Sequence, residues 1–329
     1  MYAGLFSFLG MIMANDYAPR SERTMYFIGV TTSKSSIMKV FPKWAEYLGI
    51  DAKIEGFDFL HHDEPERYRE VVDFIKRDPM SMGALVTTHK IDLLTASRDM
   101  FEYLDPYADI LGEVSSISKL DGKLCGHAKD PITSGLSLER IVPDGYWRQT
   151  GADMLILGAG GSSLALTMYL KEKKDKGGDV PGRIIVDNRS QPRLDEMRKI
   201  HREIGFDIEI EYNLCPKPEQ NDEVMGRLKP GSMVINATGL GKDGPGSPLT
   251  DAGVFPENGR VWEFNYRGEL VFLDQARAQE EAKGLHIVDG WDYFIYGWTR
   301  VIAEVFHIDI PVDGSGFDRI SGLAASTRG

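Results

Sequence analysis

The chain has 329 residues, 42% of them hydrophobic, with a formal net charge of −12 and a sequence pI near 5.1. That length accommodates two domains, each with its own core, and the acidic balance argues against nucleic acid or an anionic membrane as the main partner. Two cysteines, Cys125 and Cys215, give neither a disulfide framework nor a metal-binding spacing and point to a reducing, cytoplasmic setting, and no apolar run reaches the roughly 18–20 residues of a spanning helix.

The first residues, Met1 to Met13, are apolar but lack a basic leading region, so they read as an extension packed on the body or at a dimer interface rather than a signal peptide. Met25 to Val30 reads as a strand, and a polar turn containing Ser33, Lys34, Ser35 and Ser36 leads into a helix over Ile37 to Leu48. Ser35 or Ser36 suits a helix cap, and the same hydroxyls and N–H groups suit a carboxylate. Ala52 to Phe57 reads as a second strand, Glu64 to Arg77 as a helix, and Gly83 to Thr87 as a strand ending in Thr88, His89 and Lys90. Lys90 at a strand end beside Thr87 and Thr88 is placed for chemistry, although a solvated surface position is the usual fate of a lone lysine. Asp121-Gly122 between the runs 115–120 and 123–127 predicts a hairpin. Asp130 precedes a proline and a helix, where a carboxylate also serves as a simple N-terminal charge.

Met154 to Leu157 is a four-residue apolar strand running into Gly158, Ala159, Gly160 and Gly161, and Ser162-Ser163 then opens a helix. Strand, glycine turn and helix start together make a seat for a dinucleotide pyrophosphate, because backbone N–H groups approach the phosphate and the helix end adds positive charge. Ser163 stands where the third glycine of G-x-G-x-x-G would be. Further strands are expected at Ile184 to Asp187, Ile208 to Tyr212, Met233 to Asn236, Arg260 to Phe264 and His286 to Val288, with an aromatic-rich closing helix from Asp292 to Phe306. The connections after Asn236 and Phe264 belong at the carboxyl edge, where ligands bind in open parallel sheets.

Across roughly Tyr26 to Phe306 the chain resembles the shikimate/quinate dehydrogenase family. The matching elements occur in the family's order. Ser33-Lys34-Ser35 resembles the S-x-S element that binds the substrate carboxylate, and Val86 to Lys90 resembles the N-V-T-x-P-x-K strand end with its catalytic lysine. Gly126 to Asp130 resembles G-x-N-T-D, which carries the catalytic aspartate. Gly158 to Ala165 resembles the glycine turn, Asn188-Arg189-Ser190 the N-R-T that meets the adenosine phosphate, and Ile235 to Gly241 the I-N-A-T-P-x-G loop. Glu263 to Tyr266 sits at D-x-x-Y, and Gly290 begins the last element before the closing helix.

The resemblance implies two α/β domains. The smaller substrate domain, 1–131 with 288–329, is completed by the C-terminal helix, and 132–287 is a Rossmann-type NAD(P) domain with a parallel sheet. It further implies hydride transfer between a nicotinamide and a hydroxyl or ketone of a carbocyclic hydroxy acid, with Lys90 and Asp130 catalytic. Ser33, Ser35, Thr87, Ser115 and Tyr266 are the implied substrate-binding residues. Gly158, Ala159, Gly160, Gly161, Ser162, Asn188, Arg189, Ser190, Ala237, Thr238, Gly239, Phe264 and Gly290 are the implied cofactor-binding ones. Arg189 and Ser190 favour NADP, and Asp187 keeps NAD open. A homodimer is expected by family analogy.

The departures gather in the substrate pocket. The proline before the lysine is missing, the asparagine before V-T is Ala84 or Leu85, and N-T before the aspartate is Ala128-Lys129. A-V-N-T has become Glu113 to Ser116, and the closing-helix glutamine falls near Gly297. Because a site built for a hydroxyl discriminates strongly, the expectation is retained chemistry with altered substrate selection. Lys129 suits either a second anionic group or a rim salt bridge. The competing readings are a non-catalytic, nucleotide-binding regulatory protein and an enzyme for an open-chain or amino-substituted acid.

Overall fold

The structure, a computed structural model, describes residues 17–242 and 244–327, so the expected extension over Met1 to Met13 lies outside the described residues. The chain divides into two compact units, Met1–Lys129 with Trp298–Gly329, and Asp130–Gly297. Among the described residues no helix is long and apolar enough to cross a membrane, and both cysteines are free and buried.

The first unit runs β1 (Thr24–Gly29), α1 (Ile37–Leu48), β2 (Lys53–Asp58), α2 (Pro65–Arg77), β3 (Ser81–Val86), α3 (Lys90–Ser97), β4 (Tyr103–Leu104), α4 (Pro106–Leu111), β5 (Ser116–Leu120) and β6 (Lys123–His127). Its six strands lie in the order β2-β1-β3-β5-β6-β4. All six residues of β1 are buried, as expected for an apolar strand flanked by parallel partners. Tyr26, Ile28, Phe57, Tyr68, Val71, Ile75 and Val86 share one core. The hairpin forms as its turn sequence predicts, with Asp121 at φ +50° and Gly122 at φ +75°. Because β5 runs antiparallel to β3, and β6 antiparallel to β5, the end of β3, the start of β5 and the end of β6 meet at one edge of the sheet.

The second unit contains α5 (Asp130–Ile141), α6 (Tyr146–Thr150), β7 (Met154–Leu157), α7 (Gly161–Asp175), β8 (Arg183–Asn188), α8 (Gln191–Glu203), β9 (Glu209–Leu214), α9 (Pro218–Met225), β10 (Met233–Asn236), β11 (Arg260–Glu263), α10 (Val271–Arg277), α11 (Glu280–Lys283) and β12 (His286–Val288). All its strand pairings are parallel, in the order β9-β8-β7-β10-β11-β12. Numbered within the unit this is 3-2-1-4-5-6, the doubly wound nucleotide-binding order, whose reversal point lies between β7 and β10. Leu155, Leu157, Val234, Val261, Phe255 and Phe272 belong to its core.

Helix α12 (Trp291–Phe306) begins in the second unit and ends in the first. The tail after it, for which the sequence pattern names no element, forms α13 (Gly314–Ala325). In the first unit the fully buried Trp44 of α1 donates its indole N–H to the Ile320 carbonyl at 2.9 Å, which ties this helix down.

Candidate active site

At the reversal point, β7 delivers Gly158 with φ +108°. Its N–H donates to the Asp187 carbonyl at 2.7 Å, and a Cβ there would lie 2.8 Å from the Ala237 carbonyl oxygen. Only glycine fits both the angle and the approach. Gly160 and Gly161 open α7 and are exposed, and a Cβ on Gly160 would meet nothing within 4 Å. No side chain caps α7. A 15-residue helix thus points unsatisfied N–H groups into open space, which is the arrangement that binds a phosphate. This is the fit a dinucleotide pyrophosphate requires.

At the end of β8, Asp187 and Arg189 part company. Asp187 is only 1% exposed and accepts a 3.0 Å hydrogen bond from Asn213 Nδ2. Burial pushes its carboxyl up to about 7, opposed by that hydrogen bond. Arg189 is exposed, Asn188 Nδ2 donates to the Ser190 carbonyl at 3.0 Å, and Ser190 precedes α8 without capping it. The strand tip therefore offers a cation and turns its acid inward.

Beyond β10 the loop Ala237, Thr238 and Gly239 is held by Asn236, whose Oδ1 accepts the Thr238 N–H at 3.1 Å and hydroxyl at 2.7 Å. Beyond β11, Phe264 stacks on Tyr293 with centroids 4.9 Å apart and planes 13° apart, and Tyr266 lies against Phe294 and Trp291. Gly290 passes so close to the Phe264 carbonyl that a Cβ would collide with it. Between the two loops sits the fully buried Glu263, bonded to Asn236 and Asn265. The sequence motifs contain all three residues without revealing this role.

In the first unit, the carboxyl edge of the sheet gathers the other expected groups. Ser33 lies exposed in a short turn of 3₁₀ helix, Thr32–Lys34, and Ser35 follows it, nearly buried. That turn is anchored by Asp58, which accepts both the N–H and the hydroxyl of Thr32, at 2.8 and 2.6 Å. Helix α1 has no side-chain cap, so the capping role open to Ser36 is not taken. Thr87 continues β3 through its N–H to the Ile28 carbonyl at 3.0 Å, and Lys90 begins α3. The Lys90 carbonyl accepts the Val114 N–H at 3.2 Å, which brings Ser115 to the same edge. Ser115 is buried; its hydroxyl accepts the Lys129 N–H at 2.8 Å and donates to the His127 carbonyl at 3.4 Å. Lys129 forms an ion pair, its Nζ lying 2.6 Å from Glu304 Oε2. Asp130 is the next residue along the chain and opens α5 in the second unit.

No family model matches the chain. It is 28% identical over 210 residues to the shikimate dehydrogenase (NADP(+)) of Streptococcus pneumoniae strain JJA, a match covering 63% of this chain and 66% of that relative, just under two thirds of its length. Over that stretch the chain is similar to the shikimate dehydrogenases. The quinate dehydrogenase of Corynebacterium glutamicum in complex with NAD superposes with a TM-score of 0.70 at 17% identity, covering 93% of this chain and 99% of that one. The shikimate 5-dehydrogenase of Thermus thermophilus in complex with NADP(H) and shikimate gives 0.65 at 21%, covering 92% and 99%. At these identities the superpositions show the fold.

Against the shikimate dehydrogenase pattern, the departures have physical forms. The shortened turn before Lys90 is made by Thr88 at φ +57° and by His89, which is buried against Phe59 and bonded through Nδ1 to the Tyr68 hydroxyl at 3.0 Å. Burial and the neighbouring His61 hold the His89 pKa below its ordinary value. At Gly297, where the pattern has glutamine, a Cβ would touch only Thr133 Cγ2, at 3.8 Å, so that position carries no hydrogen-bonding side chain and leaves space.

Proposed function

We propose that this protein is an NAD(P)-dependent alcohol dehydrogenase of the shikimate dehydrogenase type, acting reversibly on a hydroxyl or ketone of a carbocyclic hydroxy acid such as shikimate, quinate or a related compound. The observation that carries this reading is the uncapped N-terminus of α7 behind Gly158, at the reversal point of the second unit's sheet. The second unit is read as the cofactor domain and the first as the substrate domain.

Gly158 to Gly161, with Ser162, hold the pyrophosphate, and Ala237 to Gly239, Phe264 and Gly290 form the nicotinamide side. A bound nicotinamide supplies or accepts the hydride. The exposed Arg189 and the inward-turned Asp187 favour NADP, since Arg grips a 2′-phosphate with paired N–H groups while a buried acid is not offered to a ribose 2′-hydroxyl. NAD remains the alternative cofactor. Ser33 and Ser35 bind the substrate carboxylate, with Thr87, Ser115 and Tyr266 around the ring. Lys90 transfers the proton at the reacting oxygen, and Asp130 orients the same hydroxyl and tunes its protonation. The missing asparagines and the glycine at 297 point to an acid whose ring hydroxyls differ from those of shikimate. A cytoplasmic location and a homodimer belong to the same reading.

Turnover of shikimate, quinate and a panel of cyclic polyol acids, each with NADP and with NAD, tests it through reduced-cofactor absorbance. Reduction with at least one acid is expected. Inactivity with every acid overturns the proposal, and shikimate used best of all overturns the altered selection.

A further inference from the structure

The two loops at the carboxyl ends of β10 and β11 are joined by a single carboxylate. Glu263 is fully buried. One of its oxygens accepts the Asn236 amide at 2.5 Å. The other accepts the Asn265 backbone N–H at 2.8 Å and the Asn265 side-chain amide at 2.7 Å. Asn236 in turn holds Thr238, and Asn265 Nδ2 also reaches the Leu240 carbonyl at 3.4 Å. Every group aimed at Glu263 is an N–H donor. An ionised carboxylate accepts on both oxygens and satisfies all of them, whereas a protonated one turns an O–H against a donor.

Among the described residues Lys242 is a cation whose field reaches Glu263. On the neighbouring strand end Asp289 turns its Oδ1 to the Trp291 N–H at 3.0 Å, and Asn236 and Asn265 are neutral. Burial pushes the Glu263 carboxyl up to about 7, with the N–H donors and Lys242 pulling the other way. Both protonation states are therefore accessible near neutral pH.

We propose that Glu263 is a positioning residue for the cofactor: as a carboxylate it locks the Ala237–Gly239 and Phe264–Tyr266 loops into one wall, and its protonation loosens that wall and weakens nicotinamide-nucleotide binding. This rests on the nucleotide-binding reading given above.

The test is equilibrium titration with NADPH and, separately, NADH, followed by nicotinamide fluorescence between about pH 5.5 and 8.5. NADH lacks the 2′-phosphate, whose own ionisation falls in that range, so its curve isolates the protein. Wild type is expected to lose about tenfold in NADH affinity towards acid, a change in line with the worth of a buried charged hydrogen bond, centred near pH 7. Glu263→Gln is expected to bind about tenfold more weakly than wild type at the alkaline end and with no slope. Glu263→Asp, which keeps the carboxylate, is expected to keep the slope, and it decides the matter should the Gln variant not fold. Asp187, whose carboxyl burial also pushes up to about 7, is unaltered in all three proteins, so a slope surviving in Glu263→Gln overturns the assignment. A flat wild-type curve, or a flat Glu263→Asp variant that still binds, overturns the proposal and leaves the dehydrogenase reading standing. Wild-type protein that binds neither nucleotide at any pH overturns both.

Discussion

The Ser163 hydroxyl donates a 2.7 Å hydrogen bond to the Gly158 carbonyl, across the turn between β7 and α7. Ser163 is fully buried and occupies the third place of the glycine fingerprint. Its side chain is small enough for the helix to pack on the strand, and the hydroxyl closes the turn. The departure from glycine at this position thus keeps the cradle intact, and the burden of close approach falls on Gly158.

Gly158→Ala is accordingly expected to damage the cradle. Its methyl would lie 2.8 Å from a backbone oxygen, at φ +108°, and such backbone strain costs on the order of 1–3 kcal/mol. Thermal unfolding should shift down, and nicotinamide-nucleotide affinity should fall by at least about tenfold. Gly160→Ala, with open space around its Cβ, should unfold at the wild-type temperature. Equal behaviour of the two variants would remove the structural distinction between these glycines.

Lys90→Ala is expected to lower turnover by about 10²–10⁴-fold, the usual worth of general acid–base help. Lys90 starts α3 in the first unit, whereas the glycine cradle lies in the second. Nucleotide affinity should therefore hold. Steady-state turnover beside a direct binding titration separates the two effects, and an alanine variant as active as wild type takes Lys90 out of the chemistry.

Cofactor choice should follow Arg189. Replacing it by alanine removes the exposed cation at the tip of β8 and leaves the buried Asp187 untouched. A charge-assisted hydrogen bond is worth about 1.5–3 kcal/mol, so kcat/KM with NADP should fall by roughly 10–100-fold. The value with NAD should barely move. A parallel loss with both cofactors would mean that Arg189 supports the fold of the tip rather than reading the phosphate.

Much of this was legible from residue order. The apolar runs of β1, β7 and β10 announce buried parallel strands because both their faces are covered, and Asp121-Gly122 announces its turn through the positive φ angles it adopts easily. Tyr103–Leu104 was not legible: two residues carry no periodicity, and the strand exists only because β6 lies beside it. Helix α13 was hidden by Gly314, Gly316 and Gly322, which lower helix propensity; contact with α1 through Trp44 stabilises it instead. At the candidate site, Asp58, Glu263 and Glu304 were missed for a common reason. Each acts by holding another loop, and pairings such as Lys129 with Glu304, 175 residues apart, leave no local pattern to read.

His201 should make an acid-sensitive contribution to stability. Its imidazole is 3% exposed, lies between the Thr167 and Tyr212 hydroxyls at 2.8 and 2.5 Å, and stacks on Phe206. Burial lowers its pKa to about 4 from an ordinary 6.5. Between those values the unfolded chain binds a proton at His201 that the folded chain does not, so this residue's contribution to stability falls as pH drops from about 6.5 to about 4, by up to roughly 3 kcal/mol. Glu263 and Asp187 act in the opposite sense, since their raised pKa values make the folded state the better proton binder up to about 7. Those two terms are common to wild type and to His201→Gln, and cancel in the difference. Urea unfolding at a series of pH values should therefore show the wild-type advantage over His201→Gln shrinking steadily as pH falls from about 6.5 towards 4. A difference that stays constant across that range would mean the buried imidazole contributes packing alone and does not resist protonation.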